Sequence, residues 1–320
     1  MTREIKRRNV GLLLTAGIII LLALSPWFDV PVYFVSLFFT VFMYVVLTSA
    51  WNLIGGYAGY LSFGHVAFFG IGAYTTAIIS KAFSLHALGV VLSTIPAGAI
   101  AGIIAMLVGY PCLRLRGPYF AVITLCFAFV VELGVKNVAV LGGPDGLWLK
   151  SMELPVEITR GILFEIMLLL MVITIGVNFW IGRSKLGAGL RAIKEDEEVA
   201  QTMAINAPVL KLKAFIASAF FPGVAGGVYA YYLNYIHPDI VFDVNISIFI
   251  VLMTLFGGGG SWLGPIVGAV VLTLVSEGLS TFVMAELARI IYGLLFIVVI
   301  IFMPNGIMEI VTKKNREERT

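Results

Sequence analysis

Glu132, Glu165 and Glu277 stand in otherwise apolar stretches of the chain. An ionised carboxylate there costs about 2.5–3.5 kcal/mol on insertion scales, so each needs a partner or a purpose. Glu165 falls near a span end and reaches the interface. Glu132 and Glu277 lie deeper, and either line a polar pathway or pair within the bundle. Ser62 and His65 are three apart, close enough to share a helix face, but serine hydrolysis also needs an orienting acid and an oxyanion hole, which the sequence does not offer. His65, His86 and His237 are too dispersed for a metal site. No G-x-x-x-x-G-K-[ST] cradle for ATP phosphates occurs; Gly257-Gly258-Gly259-Gly260-Ser261 has no following lysine and reads as a tight turn. Covalent chemistry and a resident cofactor or metal are therefore not expected.

The elements that hold these residues are membrane spans. The 320 residues are 60% hydrophobic and 12% charged, with mean hydropathy +1.02. That charge is about half of what coats a soluble domain, so the surface must face lipid. A net charge of +3 is too small to attract nucleic acid. Cys112 and Cys126 show no pairing pattern. Apolar runs of about 20 residues each cross a bilayer. They predict ten helices at 10–25, 32–54, 61–80, 88–111, 118–135, 161–182, 214–235, 246–256, 266–283 and 287–303. The first resembles a signal peptide but ends in Pro26-Trp27-Phe28, so it is expected to be retained. The third is interrupted by glycines, and the eighth is short.

Positive charge orients the chain. With both termini in the cytoplasm, sixteen of the 21 lysines and arginines fall inside, in segments 1–9, 114–116, 183–213 and 304–320. The segment 136–160 is external. The whole chain, 1–320, is expected to be one all-α transmembrane domain. Five passes on each side of Val135 would run in opposite senses, as in an inverted repeat.

Two regions carry more than packing signals. The segment Gly55-Gly56-Tyr57-Ala58-Gly59-Tyr60-Leu61-Ser62-Phe63-Gly64-His65 combines glycines with polar groups. Broken helices of this kind line cavities, so Asn52, Ser62 and His65 are pathway candidates, with satisfied packing as the competing reading. The second region, residues 190–206, predicts a short amphipathic helix after Gly187-Ala188-Gly189. Leu190, Ile193, Ala200, Met203 and Ala204 share one apolar face, beside Arg191, Glu195, Asp196, Glu197 and Glu198; Asn206 and Pro208 end it. An interfacial helix normally carries lysine and arginine, so this acidic one is expected to dock on a soluble partner.

Glu198-Val199-Ala200-x-x-x-Ala204 resembles the E-A-A-x-x-x-G coupling motif of importer permeases, with Ala204 where glycine is usual. Together with Gly59–Tyr74, Leu115–Leu125, Gly142-Gly143-Pro144-Asp145-Gly146-Leu147, the stretch 257–269 and Phe302-Met303-Pro304-Asn305-Gly306-Ile307, it makes the chain similar to the branched-chain amino-acid ABC importer permeases, second type of the pair. The resemblance implies a related second permease, two cytoplasmic ATPases that bind the ATP and magnesium, and an external solute-binding protein. It implies leucine, isoleucine and valine as substrates, with urea and short-chain amides carried by related permeases. The competing reading is an ion-coupled secondary transporter using Glu132 or Glu277.

Overall fold

The computed structural model describes residues 21–282 except 29, 83–87, 151 and 153, together with 17, 287, 291, 293, 294, 297, 306 and 307. The described residues are helical almost throughout. Lipid offers no hydrogen-bond partners, so a spanning backbone must satisfy itself, and the helix does this within one segment. In order the helices are α1 (Val32–Asn52), α2 (Gly55–Ala58), α3 (His65–Ala82), α4 (Leu88–Cys112), α5 (Pro118–Asn137) and α6 (Val156–Arg183). There follow α7 (Lys185–Glu195), α8 (Glu197–Thr202), α9 (Ala207–Leu233), α10 (Pro238–Val241), α11 (Val244–Gly257) and α12 (Gly264–Phe282). Prolines mark several starts: Pro31 precedes α1, Pro118 opens α5 and Pro155 precedes α6. Among the described residues, an antiparallel ribbon pairs β1 (Leu147–Trp148) with β2 (Tyr235–Ile236).

Among the described residues six helical stretches are long and apolar enough to cross a membrane: Val32–Ala58, Gly89–Cys112, Pro118–Asn137, Val156–Arg183, Ala207–Leu233 and Pro238–Gly257. The chain is thus an all-α multi-pass membrane protein. The expected spans at 10–25 and 287–303 lie mostly outside the described residues. The expected third span is unwound at its head: α2 ends at Ala58, residues 59–64 run without helix, and α3 then runs unbroken from His65 to Ala82. The eighth is longer than its apolar run predicts, because α10 and α11 together make one apolar stretch.

Helix α9 is the most buried of the spanning helices and α5 the least. α9 packs along α3 and α4, and α1 packs on α6 and α12. The α3–α9 contact is backbone against backbone. A Cβ on Gly72 would strike the Gly223 carbonyl, and one on Gly226 would strike the Phe69 carbonyl. Small residues supply this close approach where lipid provides no hydrophobic drive between helices. One apolar core joins α1, α6, α9, α11 and α12; a second, with Tyr57, Tyr60, Phe68, Phe120, Leu190, Ile193 and Phe215, fills the end of the bundle where α7 and α8 lie.

Candidate functional site

The α7–α8 hairpin is built by side-chain caps. Ser184 accepts a hydrogen bond from the Gly187 amide (3.3 Å) and starts α7. The expected single helix over 190–206 is instead two, because Asp196 adopts an extended conformation and begins again. Its Oδ1 accepts from the amides of Glu198 (2.8 Å) and Val199 (3.0 Å), neutralising two of the orphan donors at the α8 N-terminus. Asn206 caps α9 in the same way through the Val209 amide (3.3 Å).

This break redistributes the apolar face. Leu190, Ile193 and Ala200 are buried against the protein's own helices, so they do not form an outward docking stripe. Val199 and Met203 point out instead, 55% and 72% exposed, amid the exposed Glu195, Asp196 and Glu198. Ala204 has φ +62, the left-handed conformation. The glycine expected at this point of the motif is therefore a backbone requirement at the end of α8 and not simply a small side chain.

Glu197 turns inward. Its side chain is 11% exposed and pairs with Lys211, 3% exposed, at 2.7 Å. Tyr60 donates its hydroxyl to the other carboxylate oxygen (2.7 Å) while accepting from Lys211 Nζ (2.8 Å). Lys211 spends its third donor on the Leu113 carbonyl (3.1 Å). Arg116 lies 3.6 Å from Glu197 and hydrogen-bonds Glu198 at 3.1 Å. Burial pushes the Glu197 carboxyl up, but the hydrogen bonds from Lys211 and Tyr60 and the charges of Lys211 and Arg116 outweigh it, holding it below the usual carboxylate range. Burial, with the Glu197 hydrogen bond and charge, pushes the Tyr60 phenol above its ordinary value, so it stays a donor. On the α7 side, Lys194 donates to the Gly56 carbonyl (3.1 Å) and Arg191 to that of Gly182 (2.9 Å).

The broken span brings Ser62 and His65 together: Ser62 Oγ and His65 Nδ1 are 3.2 Å apart, both fully buried. Neighbouring helices satisfy the unwound backbone. Phe63 N donates to Thr124 Oγ1 (3.1 Å), Val66 N to Ser247 Oγ (3.1 Å), and Ser247 Oγ to the Phe63 carbonyl (2.7 Å). His65 Nε2 has no partner among the described residues and faces Phe68 and Phe215. Asn52 belongs to a different arrangement. It donates to Asn178 Oδ1 (3.2 Å) and the Ser261 carbonyl (2.9 Å) and accepts from Gly260 N (2.8 Å), so its amide is spent on tying α1 to α6 and the glycine turn. Three of its four hydrogen-bonding positions are thus used within the protein, which favours the satisfied-packing reading of Asn52 over the pathway one.

At the opposite end, Glu132 is paired with Lys136 (2.6 Å), which also bridges Asp239 (2.5 Å). Glu277 lies near the C-terminal end of α12 and is half-buried. Among the described residues no His, Cys, Asp and Glu group suits a metal ion. The sequence reading missed Tyr60, Lys211, Thr124, Asn178 and Ser247. Lys211 carried a usable signal, a lysine just ahead of an apolar run and fourteen residues after an acid.

Residues 33–300 match the family model described as branched-chain amino acid transport system / permease component. The chain belongs to that family. The high-affinity branched-chain amino acid transport system permease protein LivM of Salmonella typhimurium is 29% identical over 294 residues, 83% of this chain and 68% of that protein. LivH of the same organism is 22% identical over 285 residues, and BraD of Pseudomonas aeruginosa 26% over 288; each comparison covers 83% of this chain and 91% of the relative. No solved structure matches the chain. The family match runs from the start of α1 past the end of α12. In this permease family member, then, every side chain of the α8 network and of the broken span lies inside the matched region.

Proposed function

We propose that this chain is the permease subunit of an ATP-driven importer of branched-chain amino acids, resident in a prokaryotic inner membrane. The observation that carries the reading is the family match over residues 33–300 on a bundle with six membrane-length helices. The partners are a second, related permease, two cytoplasmic ATPases that bind ATP and magnesium, and an external solute-binding protein. Two relatives from one organism, LivM and LivH, support a paired permease. The α7–α8 hairpin faces the ATPases with Val199 and Met203 framed by acidic groups. Ten passes with both termini inside, arranged as two inverted halves, remain part of the proposal. The chain performs no covalent chemistry. Glu132 is held by Lys136, which weighs against an ion-coupled carrier whose carboxylate must exchange its cation. Leucine, isoleucine and valine are preferred to urea or amides because the matched relatives carry branched-chain amino acids in their names.

The test is purification of the tagged chain in mild detergent from cells expressing its genomic neighbours, then reconstitution with labelled leucine. Recovery of a second permease and ATPases, with uptake that requires ATP, is the expected result. A chain that purifies alone and transports without ATP overturns the reading.

A further inference from the structure

We infer that Tyr60 is a positioning residue for transport, the link through which α8 displaces the buried Ser62–His65 break. The inference rests on the importer reading and names the part that would carry motion from the ATPase face into the bundle.

The hairpin grips the unwound segment on both sides of one pivot. Gly59 has φ +76, the left-handed turn that ends α2, and a Cβ there would sit 3.0 Å from Lys194 Cγ. Before the pivot, Lys194 of α7 holds the Gly56 carbonyl. After it, Glu197 of α8 holds the Tyr60 hydroxyl, which Lys211 of α9 also contacts. From Tyr60 the chain continues for only two residues to Ser62. That stretch is not helical, and its few residues have little slack to absorb a displacement. The Ser62 carbonyl accepts from Trp51 Nε1 (2.8 Å), and the break beyond it is held by hydroxyls of Thr124 and Ser247. Such side-chain bonds on unwound backbone can exchange partners without unravelling a helix.

A ligand-binding role for the network is a poorer account. A cavity of about 330 Å3 opens beside it, lined by Arg114, Arg116, Glu197 and Lys211 among others. Yet all three Lys211 donors are engaged within the protein, and Arg116 hydrogen-bonds Glu198 and lies 3.6 Å from the Glu197 carboxylate. The network is spent on connection.

The test uses the whole importer in proteoliposomes, with Tyr60→Phe, which keeps the ring and removes only the hydroxyl. The expected result is wild-type recovery of the ATPases, leucine uptake reduced about tenfold, and a matching rise in ATP hydrolysed per leucine, the scale set by one charge-assisted hydrogen bond. Glu197→Gln combined with Tyr60→Phe should be no worse than the more severe single variant, because both cut one link. Uptake and ATP-to-leucine ratio within about twofold of wild type for Tyr60→Phe would overturn the inference. Loss of ATPase recovery in that variant would also overturn it, since Tyr60 would then support the docking surface. If the wild-type chain recovers no ATPases, the importer reading fails, and that failure is visible before any variant is made.

Discussion

Replacing Lys211 by methionine leaves the Glu197 carboxylate in a pocket where only Arg116, at 3.6 Å, still opposes its charge. Removing one partner of a buried pair costs about 3–5 kcal/mol. Glu197 has an escape, however. Taking up a proton at pH 7 costs a carboxyl of ordinary pKa about 3.5 kcal/mol, which caps the penalty. With Arg116 retained, about 2–3 kcal/mol is expected, all of it falling on the attachment of α8. Hydrogen exchange of the amides at 197–206, in detergent-purified protein, reads this directly as about thirty- to 150-fold faster exchange. The pH dependence supplies a second check. In the wild type the Glu197 carboxyl titrates below its usual value, so its contribution is present above the unfolded pKa and is lost as pH falls through the folded one. In Lys211→Met burial reverses the sign: the carboxyl titrates high, and the penalty vanishes as acid protonates it. After correction for intrinsic rates, the difference between variant and wild type should be largest at neutral pH and shrink toward about pH 4.5. Unchanged protection at pH 7, or a difference that grows toward acid, would refute the reasoning.

Three other outcomes are expected. Ala204→Gly relieves the left-handed strain at the end of α8; set against the greater freedom of unfolded glycine, the net gain is about 1 kcal/mol, seen as about fivefold slower exchange at 203–206. Met203→Asp should leave the folded yield unchanged and weaken ATPase recovery about tenfold, whereas Ala200→Asp, placed inside the protein's own core, should lower the folded yield itself on size-exclusion chromatography. Gly72→Ala drives a methyl into the Gly223 carbonyl, a backbone atom that cannot rotate away, and should cost about 3 kcal/mol, measured as loss of monodisperse protein and a lower thermal midpoint.

The spanning helices were legible because the bilayer enforces one pattern, long charge-free runs, and leaves the backbone one solution. The interruption near Gly59 was legible for a related reason: glycines and polar groups clustered where an unbroken span would exclude both. What periodicity could not supply was the inside of the bundle. Leu190, Ile193 and Ala200 read as an outward stripe because a helix pattern shows that residues share a face, never which neighbour covers it. Asp196 hid the break, since an acid in a charged run looks the same whether it caps a helix or faces water. Asn52 was ambiguous for want of Asn178 and Gly260, both remote in the chain and contributing through an amide and a backbone N–H. Tyr60 and Lys211 were passed over because neither type is rare at a membrane boundary. Their meaning comes from a carboxylate 137 residues from one and fourteen from the other.

The main-chain contact of α3 with α9 sets a limit on how this bundle can deform. Side chains let packed helices slip by changing rotamers, but Gly72 against the Gly223 carbonyl and Gly226 against that of Phe69 leave nothing to rotate. The two helices are keyed together and must travel as a single lever, with α4 riding on it through Gly98, where a Cβ would collide with Val224. Any rearrangement of this bundle that keeps those contacts moves α3, α4 and α9 as one body against α1, which itself packs on α6 and α12.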